Sequence, residues 1–109
     1  MLPNAAQAFV DPTKVRDYLL SPSHPIGRFK ANVFSALGYS QADWQQLRDD
    51  LLKIGQTEIA SPGQPSAFGQ MFQVGGNLKG PSGRSGPFVT VWIVRAGEDV
   101  PRFVTAFPR

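Results

Sequence analysis

Residues 87–95 read PFVTVWIVR, the stretch with the strongest β-strand pattern in this 109-residue chain. It is rich in β-branched and aromatic residues, which suit a pleated and packed surface. Its alternating positions are apolar on both sides, with Val89, Val91 and Ile93 on one side and Phe88, Thr90, Trp92 and Val94 on the other. A strand that is apolar on both faces is typical of the middle of a sheet, so we predict that this strand is central.

The segments on either side predict the neighbouring strands. Residues 68–78 form a strand pattern in which Gly75 and Gly76 indicate a bulge or a strong bend. Residues 57–60 predict a short strand, followed by a breaker-rich loop at residues 61–65. In a last predicted strand over residues 102–107, Phe103, Thr105 and Phe107 alternate with Arg102, Val104 and Ala106. Short turns at residues 79–86 and 96–101 favour antiparallel pairing.

The first half of the chain has helical spacing of its apolar residues. Asp11 is a predicted N-cap with Pro12 at the first helical position, and this short helix should end at Ser21. A second helix is predicted over residues 26–37, ended by Gly38, and a third over residues 40–55. The third helix has a predicted buried stripe of Trp44, Leu47, Leu51 and Ile54.

This order of elements predicts the fold class. Helices first and strands afterwards indicate an α+β domain, with three N-terminal helices packed on a three- to four-stranded antiparallel meander sheet. The chain length suits a single domain over residues 1–109. The helices would cover one face of the sheet, leaving the other partly open to a ligand.

Composition excludes several kinds of site and partner. The chain has no cysteine and one histidine, which excludes disulfides, thiolate chemistry, cysteine zinc sites and histidine clusters. No dense acidic cluster is visible either, so we predict no metal and no cofactor. No apolar run is long enough for a membrane span, and the first residues lack a signal-peptide pattern, so we expect a cytoplasmic protein without a membrane partner. The net charge of +3 permits an anionic partner such as nucleic acid.

The only histidine lies in residues 21–37, SPSHPIGRFKANVFSAL, between two prolines. Arg28 and Lys30 follow His24 closely, at the start of the second predicted helix. Free backbone N–H groups at a helix start favour negative charge, so these three side chains suit an anion site. The alternative is an exposed polar histidine beside a lysine that extends its ammonium group to solvent.

The candidate site residues have cationic or hydroxyl side chains: His24, Arg28, Lys30, Arg84, Thr90, Arg102 and Thr105. Such a set fits metal-free cleavage of a phosphodiester. A base removes the proton of a ribose 2′-OH, the oxygen attacks phosphorus, cations stabilise the added charge and an acid protonates the leaving oxygen. We predict catalytic roles for His24, Lys30, Arg102 and Thr105, and substrate-binding roles for Arg28, Arg84 and Thr90. For each arginine the alternative is a surface cation without measurable effect.

Three motifs carry a resemblance to a known family. They have the forms H-P-x-G-(K/R)-x-K-A-x-x-F, G-Q-x-(F/Y) and P-G-E-D-x-P-R-x-x-T-x-(Y/F). The matching positions are His24, Pro25, Gly27, Arg28, Lys30, Ala31 and Phe34, then Gly69, Gln70 and Phe72, then Gly97, Glu98, Asp99, Pro101, Arg102, Thr105 and Phe107. On these residues the chain resembles a bacterial family of uncharacterised small domains, and we add Gln70 to the substrate-binding candidates.

The resemblance implies a toxin-like domain. Members of that family occur alone, beside small antitoxin-like proteins and at the ends of polymorphic toxins. Their layout is similar to the barnase–EndoU–colicin–RelE group of metal-free ribonuclease toxins. The implied function is an endoribonuclease toxin with RNA as substrate and a cognate antitoxin or immunity protein as partner. Ala96 stands where the family often has proline, and Phe107 replaces a tyrosine and so removes a hydroxyl.

Two other functions stay open from the sequence. A non-catalytic module would bind a protein or single-stranded nucleic acid by stacking on Phe72, Trp92 and Phe103, which makes Trp92 a further substrate-binding candidate. An inactive toxin relative would act only in assembly. The ribonuclease hypothesis requires that His24 folds back over Arg102 and Thr105.

Overall fold

The computed structural model describes residues 1–25 and 28–109, and there helices precede a four-stranded antiparallel sheet. Helix α1, Pro12–Lys14, continues into a π-helical turn, Val15–Leu19, and is followed by α2, Arg28–Ala36, and α3, Trp44–Thr57. The strands are β1 (Ala60–Ser66), β2 (Gly69–Lys79), β3 (Ser85–Arg95) and β4 (Pro101–Pro108). The predicted α+β class is confirmed, with four strands.

The first helix starts where the sequence predicts. The Asp11 carboxylate accepts a hydrogen bond from the Thr13 N–H at 2.9 Å, and Pro12 occupies the first turn. The α-helical turn then widens, because the Leu20 N–H donates to the Val15 carbonyl five residues earlier, at 3.0 Å. This π-helical turn carries Tyr18.

The third helix begins and ends later than predicted, and the second ends one residue earlier than predicted, at Ala36. The second prediction began at Ile26, and residues 26 and 27 lie outside the described residues; α2 is described from Arg28. Before α3, the Ser40 hydroxyl accepts from the Asp43 N–H at 3.2 Å, so this predicted start is a turn and the helix follows it. Within the described ranges, no helix combines the length and apolar character that crossing a bilayer requires.

The sheet has the order β1–β2–β3–β4, so β3 is an inner strand as predicted. The β2–β3 register is continuous from Gly69 opposite Arg95 to Lys79 opposite Ser85, so of the two alternatives predicted for the glycine pair, a bulge or a strong bend, the bulge is wrong. Packing explains one of these glycines, because a Cβ on Gly76 would lie 2.9 Å from the Ile54 side chain of α3.

The first strand lies later in the chain than predicted. Residues 57–60 were predicted as a strand and 61–65 as a loop, but α3 extends to Thr57 and β1 covers Ala60–Ser66. Two prolines are tolerated here because β1 is an edge strand and needs no N–H donors toward a further neighbour. The β1–β2 register shifts between Pro62 and Pro65.

The core lies between α3 and the facing side of the sheet. Leu47, Leu51 and Ile54 of α3 are buried, as predicted, together with Phe88 and Trp92 of β3. Burial of each such side chain contributes about 2 kcal/mol to stability. Gly55 allows this close approach, since a Cβ there would lie 2.6 Å from the Trp92 indole.

A β-bulge in β4 decides which side chains of that strand face the core. Trp92 lies opposite Phe103 and Val91 opposite Thr105, so β4 has one extra residue at this point. Phe103 and Ala106 are consequently both buried. The prediction that Phe103 and Thr105 lie on the same side of the strand is therefore wrong, and Thr105 points away from the core.

Candidate active site

The hydroxyl of Thr105 is the centre of a polar cluster beside β4. Lys30 of α2 donates a hydrogen bond from Nζ to Thr105 Oγ1 at 2.6 Å. The two residues are 75 positions apart in the chain, so only the tertiary fold brings them together. A bulge immediately before Thr105 directs its side chain to this contact.

Tyr18 is the third member of the cluster. Its Oη lies 3.4 Å from Thr105 Oγ1, and either oxygen can be the donor. The Nζ of Lys30 lies 5.5 Å from the centre of the Tyr18 ring and 5.9 Å from that of Phe107. The ammonium group is thus held by a hydroxyl and two aromatic rings.

His24 joins the same cluster through Tyr18. The two rings meet edge to face, with centroids 5.1 Å apart and an angle of 77° between their planes. Both line a cleft of about 560 Å³ together with Thr105 and Lys14. The carbonyl of His24 also accepts from the Arg28 N–H at 3.0 Å, which ties the histidine segment to the start of α2.

Positive charge surrounds the Tyr18 hydroxyl. Partial burial raises the pKa of Tyr18, but hydrogen bonds with Thr105 and Lys30 and the charges of Lys30 and Lys14 lower it by more. The resulting pKa lies below the ordinary value of 10. The carboxylate of Asp17, which also lines the cleft, forms an ion pair with Arg16 at 3.0 Å. The cluster can therefore hold an anion and exchange protons with it.

Metal ligation has little support in the part of the chain that the structure describes. No three His, Asp or Glu side chains lie close enough there to hold a metal ion together. The donors at the cleft are one imidazole, one phenol, hydroxyls and ammonium groups. Such a set binds anions and transfers protons.

Arg102 lies outside the cleft. Its Nη2 donates to a Glu98 carboxylate oxygen at 3.1 Å, and its guanidinium lies 5.5 Å from the Phe9 ring. Three residues along a strand separate it from Thr105 by about 10 Å. It instead lines a neighbouring cavity of about 340 Å³, where its buried Nε–H has no hydrogen-bond partner among the described residues. The expected convergence of His24 with Arg102 is thus not seen, because Glu98 holds the guanidinium at the preceding turn.

Thr90 and Trp92 are enclosed in the core, which leaves no surface for a substrate. The Thr90 hydroxyl donates to the Val74 carbonyl at 2.8 Å and accepts from Trp92 Nε1 at 2.8 Å. The Trp92 ring packs edge to face on Phe103, also buried. The stacking surface predicted from Phe72, Trp92 and Phe103 is therefore wrong, because Trp92 and Phe103 are buried and Phe72 packs partly buried against the core.

The other candidates lie apart from the cluster or at its margin. Gln70 donates to the Gly63 carbonyl at 2.6 Å and supports the β1–β2 hairpin. Arg84 is exposed in the β2–β3 turn. Arg28 is exposed at the first residue of α2.

Sequence reasoning missed Tyr18. Its spacing with Val15 and Leu19 indicated only the apolar face of a short helix. The π-helical turn and the contact with Thr105, 87 positions away, give it a polar role. No local signal in the sequence identifies this polar role.

The fold of this chain is also found in a solved structure. A chain of the contact-dependent growth inhibition toxin–immunity protein complex from Klebsiella pneumoniae 342 has the same fold, with a TM-score of 0.72. The two chains share 20% sequence identity over 96% of each. No curated protein matches the sequence significantly. The match to a family covers residues 1–109, and the chain belongs to that family, the domain of unknown function DUF6883.

Proposed function

We propose that this domain is a metal-independent endoribonuclease toxin of a polymorphic-toxin or toxin–antitoxin system. The observation that carries the proposal is the cluster in which Lys30 and Tyr18 meet on the Thr105 hydroxyl, with His24 on the same cleft. It offers a fixed cation for a phosphate and two groups that transfer protons.

The proposed reaction uses the ribose 2′-OH as nucleophile. The imidazole of His24 takes the 2′-OH proton as the oxygen forms its bond to phosphorus, since a histidine can accept a proton near neutral pH. The ammonium of Lys30 and the hydroxyl of Thr105 stabilise the negative charge on the phosphoryl oxygens. The bond from phosphorus to the 5′-oxygen then breaks, leaving a 2′,3′-cyclic phosphate and a 5′-OH.

Tyr18 is the proposed general acid. A phenol carries its proton at neutral pH, and the surrounding cations make that proton easier to give than in an ordinary tyrosine. It would protonate the leaving 5′-oxygen. Arg102 is assigned to a phosphate farther along the RNA, because it lines the neighbouring cavity, so its loss should reduce cleavage less than loss of Lys30.

A protein partner is part of the same proposal. The chain of similar fold comes from a complex of a toxin with its immunity protein. A toxin that cleaves RNA in the cytoplasm needs such an inhibitor in the producing cell. We expect a small cognate protein that blocks the cleft.

The test is cleavage of RNA by the purified domain in the presence of a chelator. We expect cleavage of an RNA oligonucleotide with a 2′,3′-cyclic phosphate product, and none when the nucleotide before the scissile bond is 2′-deoxy. His24→Ala should remove the activity without a change in thermal midpoint, and expression without a partner should arrest growth. Intact RNA and normal growth with correctly folded protein would contradict the proposal.

The second function is a protein-binding module without catalysis, for which the same complex is the supporting observation because each of its members binds a protein. Exposed Ile59 and Phe68 at the two ends of β1 offer apolar contacts for it. Binding through such contacts should change little with salt, whereas RNA binding should weaken steeply.

A further inference from the structure

The outer face of the sheet has a row of residues that leads away from the cleft. Phe107 of β4 lies opposite Val89 of β3, which lies opposite Gly75 of β2. Residues directly opposite each other have their side chains on the same face. The chain neighbours of the row, Val74, Phe88 and Ala106, are buried in the core. The row therefore points away from α3.

A cation lies at each end of this row. At the β4 end, Lys30 Nζ is 5.9 Å from the Phe107 ring centre. At the β2 end, the Arg109 guanidinium covers Gly75, where a Cβ would lie 2.7 Å from Nη1. Two strand spacings, about 10 Å, separate Gly75 from Phe107. An aromatic ring is thus placed between two positive charges.

The surface of the row is accessible. At the cleft end, Phe107 is 37% exposed. At the other end, a cavity of about 400 Å³ is lined by Arg109, Gln73, Gly75 and Glu58. Val89 lines this cavity, and Phe107, which lies opposite Val89, is two residues along β4 from Thr105 of the cleft. One extended ligand can therefore reach both.

We infer that the row from Phe107 to Arg109 binds the single-stranded RNA segment next to the scissile phosphate, an inference that rests on the ribonuclease proposed above. A base stacks on Phe107, since base–aromatic stacking tolerates any base. A neighbouring phosphate binds the forked guanidinium of Arg109. Gly75 leaves the space that Arg109 occupies, and Glu58 limits the strength of the site by repelling the same phosphate.

The experiment measures affinity for a short single-stranded 2′-O-methyl oligonucleotide, which lacks the nucleophile, at several salt concentrations. Phe107→Leu should weaken binding about tenfold through lost stacking. Arg109→Ala should weaken it and reduce the slope of log affinity against log salt by about 0.7, the value for one phosphate contact to a single strand. Arg48→Ala on α3 makes the same charge change on the opposite layer and should alter neither quantity.

Two further variants should change the affinity for the oligonucleotide in opposite directions. Gly75→Ala should displace Arg109 and weaken binding, and the displaced group is the far end of a flexible side chain, so the thermal midpoint should stay near that of the wild type. Glu58→Gln should strengthen binding about twofold at low salt.

The outcomes separate this inference from the proposed function. If the wild type cleaves RNA while Phe107→Leu and Arg109→Ala bind the oligonucleotide as the wild type does, the row is not an RNA surface and the ribonuclease proposal stands. If these two variants bind the oligonucleotide normally but no longer bind a protein partner, the row belongs to that partner's interface, and the inference is again overturned. If the wild type neither cleaves nor binds RNA, both proposals fall.

Discussion

The two tyrosines of this chain lie in opposite chemical surroundings. Tyr18 borders an open cleft, with Lys30 and Thr105 beside its hydroxyl. Tyr39 is buried and donates a hydrogen bond to the Asp50 carboxylate at 2.5 Å. Burial raises the pKa of both phenols. The hydrogen bonds and cations around Tyr18 reverse that effect, whereas the hydrogen bond and charge of Asp50 raise the pKa of Tyr39 further.

This difference is the reason that a proton-donor role is proposed for Tyr18 and a structural role for Tyr39. A phenol beside cations releases its proton more easily, because the phenolate that remains is stabilised. A phenol that donates to a carboxylate holds its proton, since the phenolate would face a like charge. The side chain is the same in both places, and the charge of its neighbour decides what it can do.

The largest expected effect is on cleavage. Tyr18→Phe should lower the rate of RNA cleavage by about 100-fold or more, the usual contribution of general acid catalysis, with little change in thermal midpoint. Single-turnover kinetics with Tyr39→Phe as the matched control measures this. Equal losses in the two variants would remove the distinction between the tyrosines.

For stability, Tyr39→Phe should have a larger effect than Tyr18→Phe. Tyr39→Phe should reduce the free energy of unfolding by about 1.5 kcal/mol, because a hydrogen bond to a charged group is lost, with cleavage unchanged. The folded-state pKa of Tyr39 is raised, so its contribution is fully present below pH 10 and is lost as the pH rises above that value. Urea denaturation at neutral and alkaline pH tests this, and an unchanged midpoint would show that Asp50 finds another donor.

Tyrosine titration should resolve the two groups without any assay of function. Ultraviolet difference spectra should show one phenol ionising below pH 10 and the other above it, since the two pKa values move in opposite directions. Tyr18→Phe should remove the lower step alone. A single step at pH 10 in the wild type would mean that neither environment acts as described.

The smallest effect concerns the contribution of Lys30. Lys30→Met should raise the pKa of Tyr18. Burial raises this pKa, and the variant removes the charge that contributes most to lowering it. The lower step of the titration should move upward, while Lys53→Met on the exposed side of α3 should leave it in place. A lower step unaffected by Lys30→Met would assign the low pKa to Thr105 and Lys14.

Some predictions from sequence succeeded because they depend on local chemistry. The Asp11–Pro12 helix start, the stripe of α3 and the inner position of β3 follow from capping and periodicity. The prediction of β1 failed because its prolines are tolerated only in an edge strand. The residues of a strand do not specify whether it lies at the edge of the sheet.

The candidate site was predictable only in part for a related reason. His24, Lys30 and Thr105 were selected by residue type, and the structure brings them to one cluster. Thr90 has the same side chain as Thr105, yet it lies in the core bonded to Trp92. One extra residue in β4 directs Thr105 outward. The alternation of apolar and polar residues in the sequence does not predict this bulge.

The sequence by itself determined the order of helices and strands, the apolar core and the supply of cations and hydroxyls, because these depend on periodicity and side-chain chemistry. The tertiary structure alone decided which hydroxyl meets Lys30, that Tyr18 takes part and that Arg102 pairs with Glu98 instead. Contacts between residues far apart in the chain depend on strand register and helix packing, which local patterns do not specify.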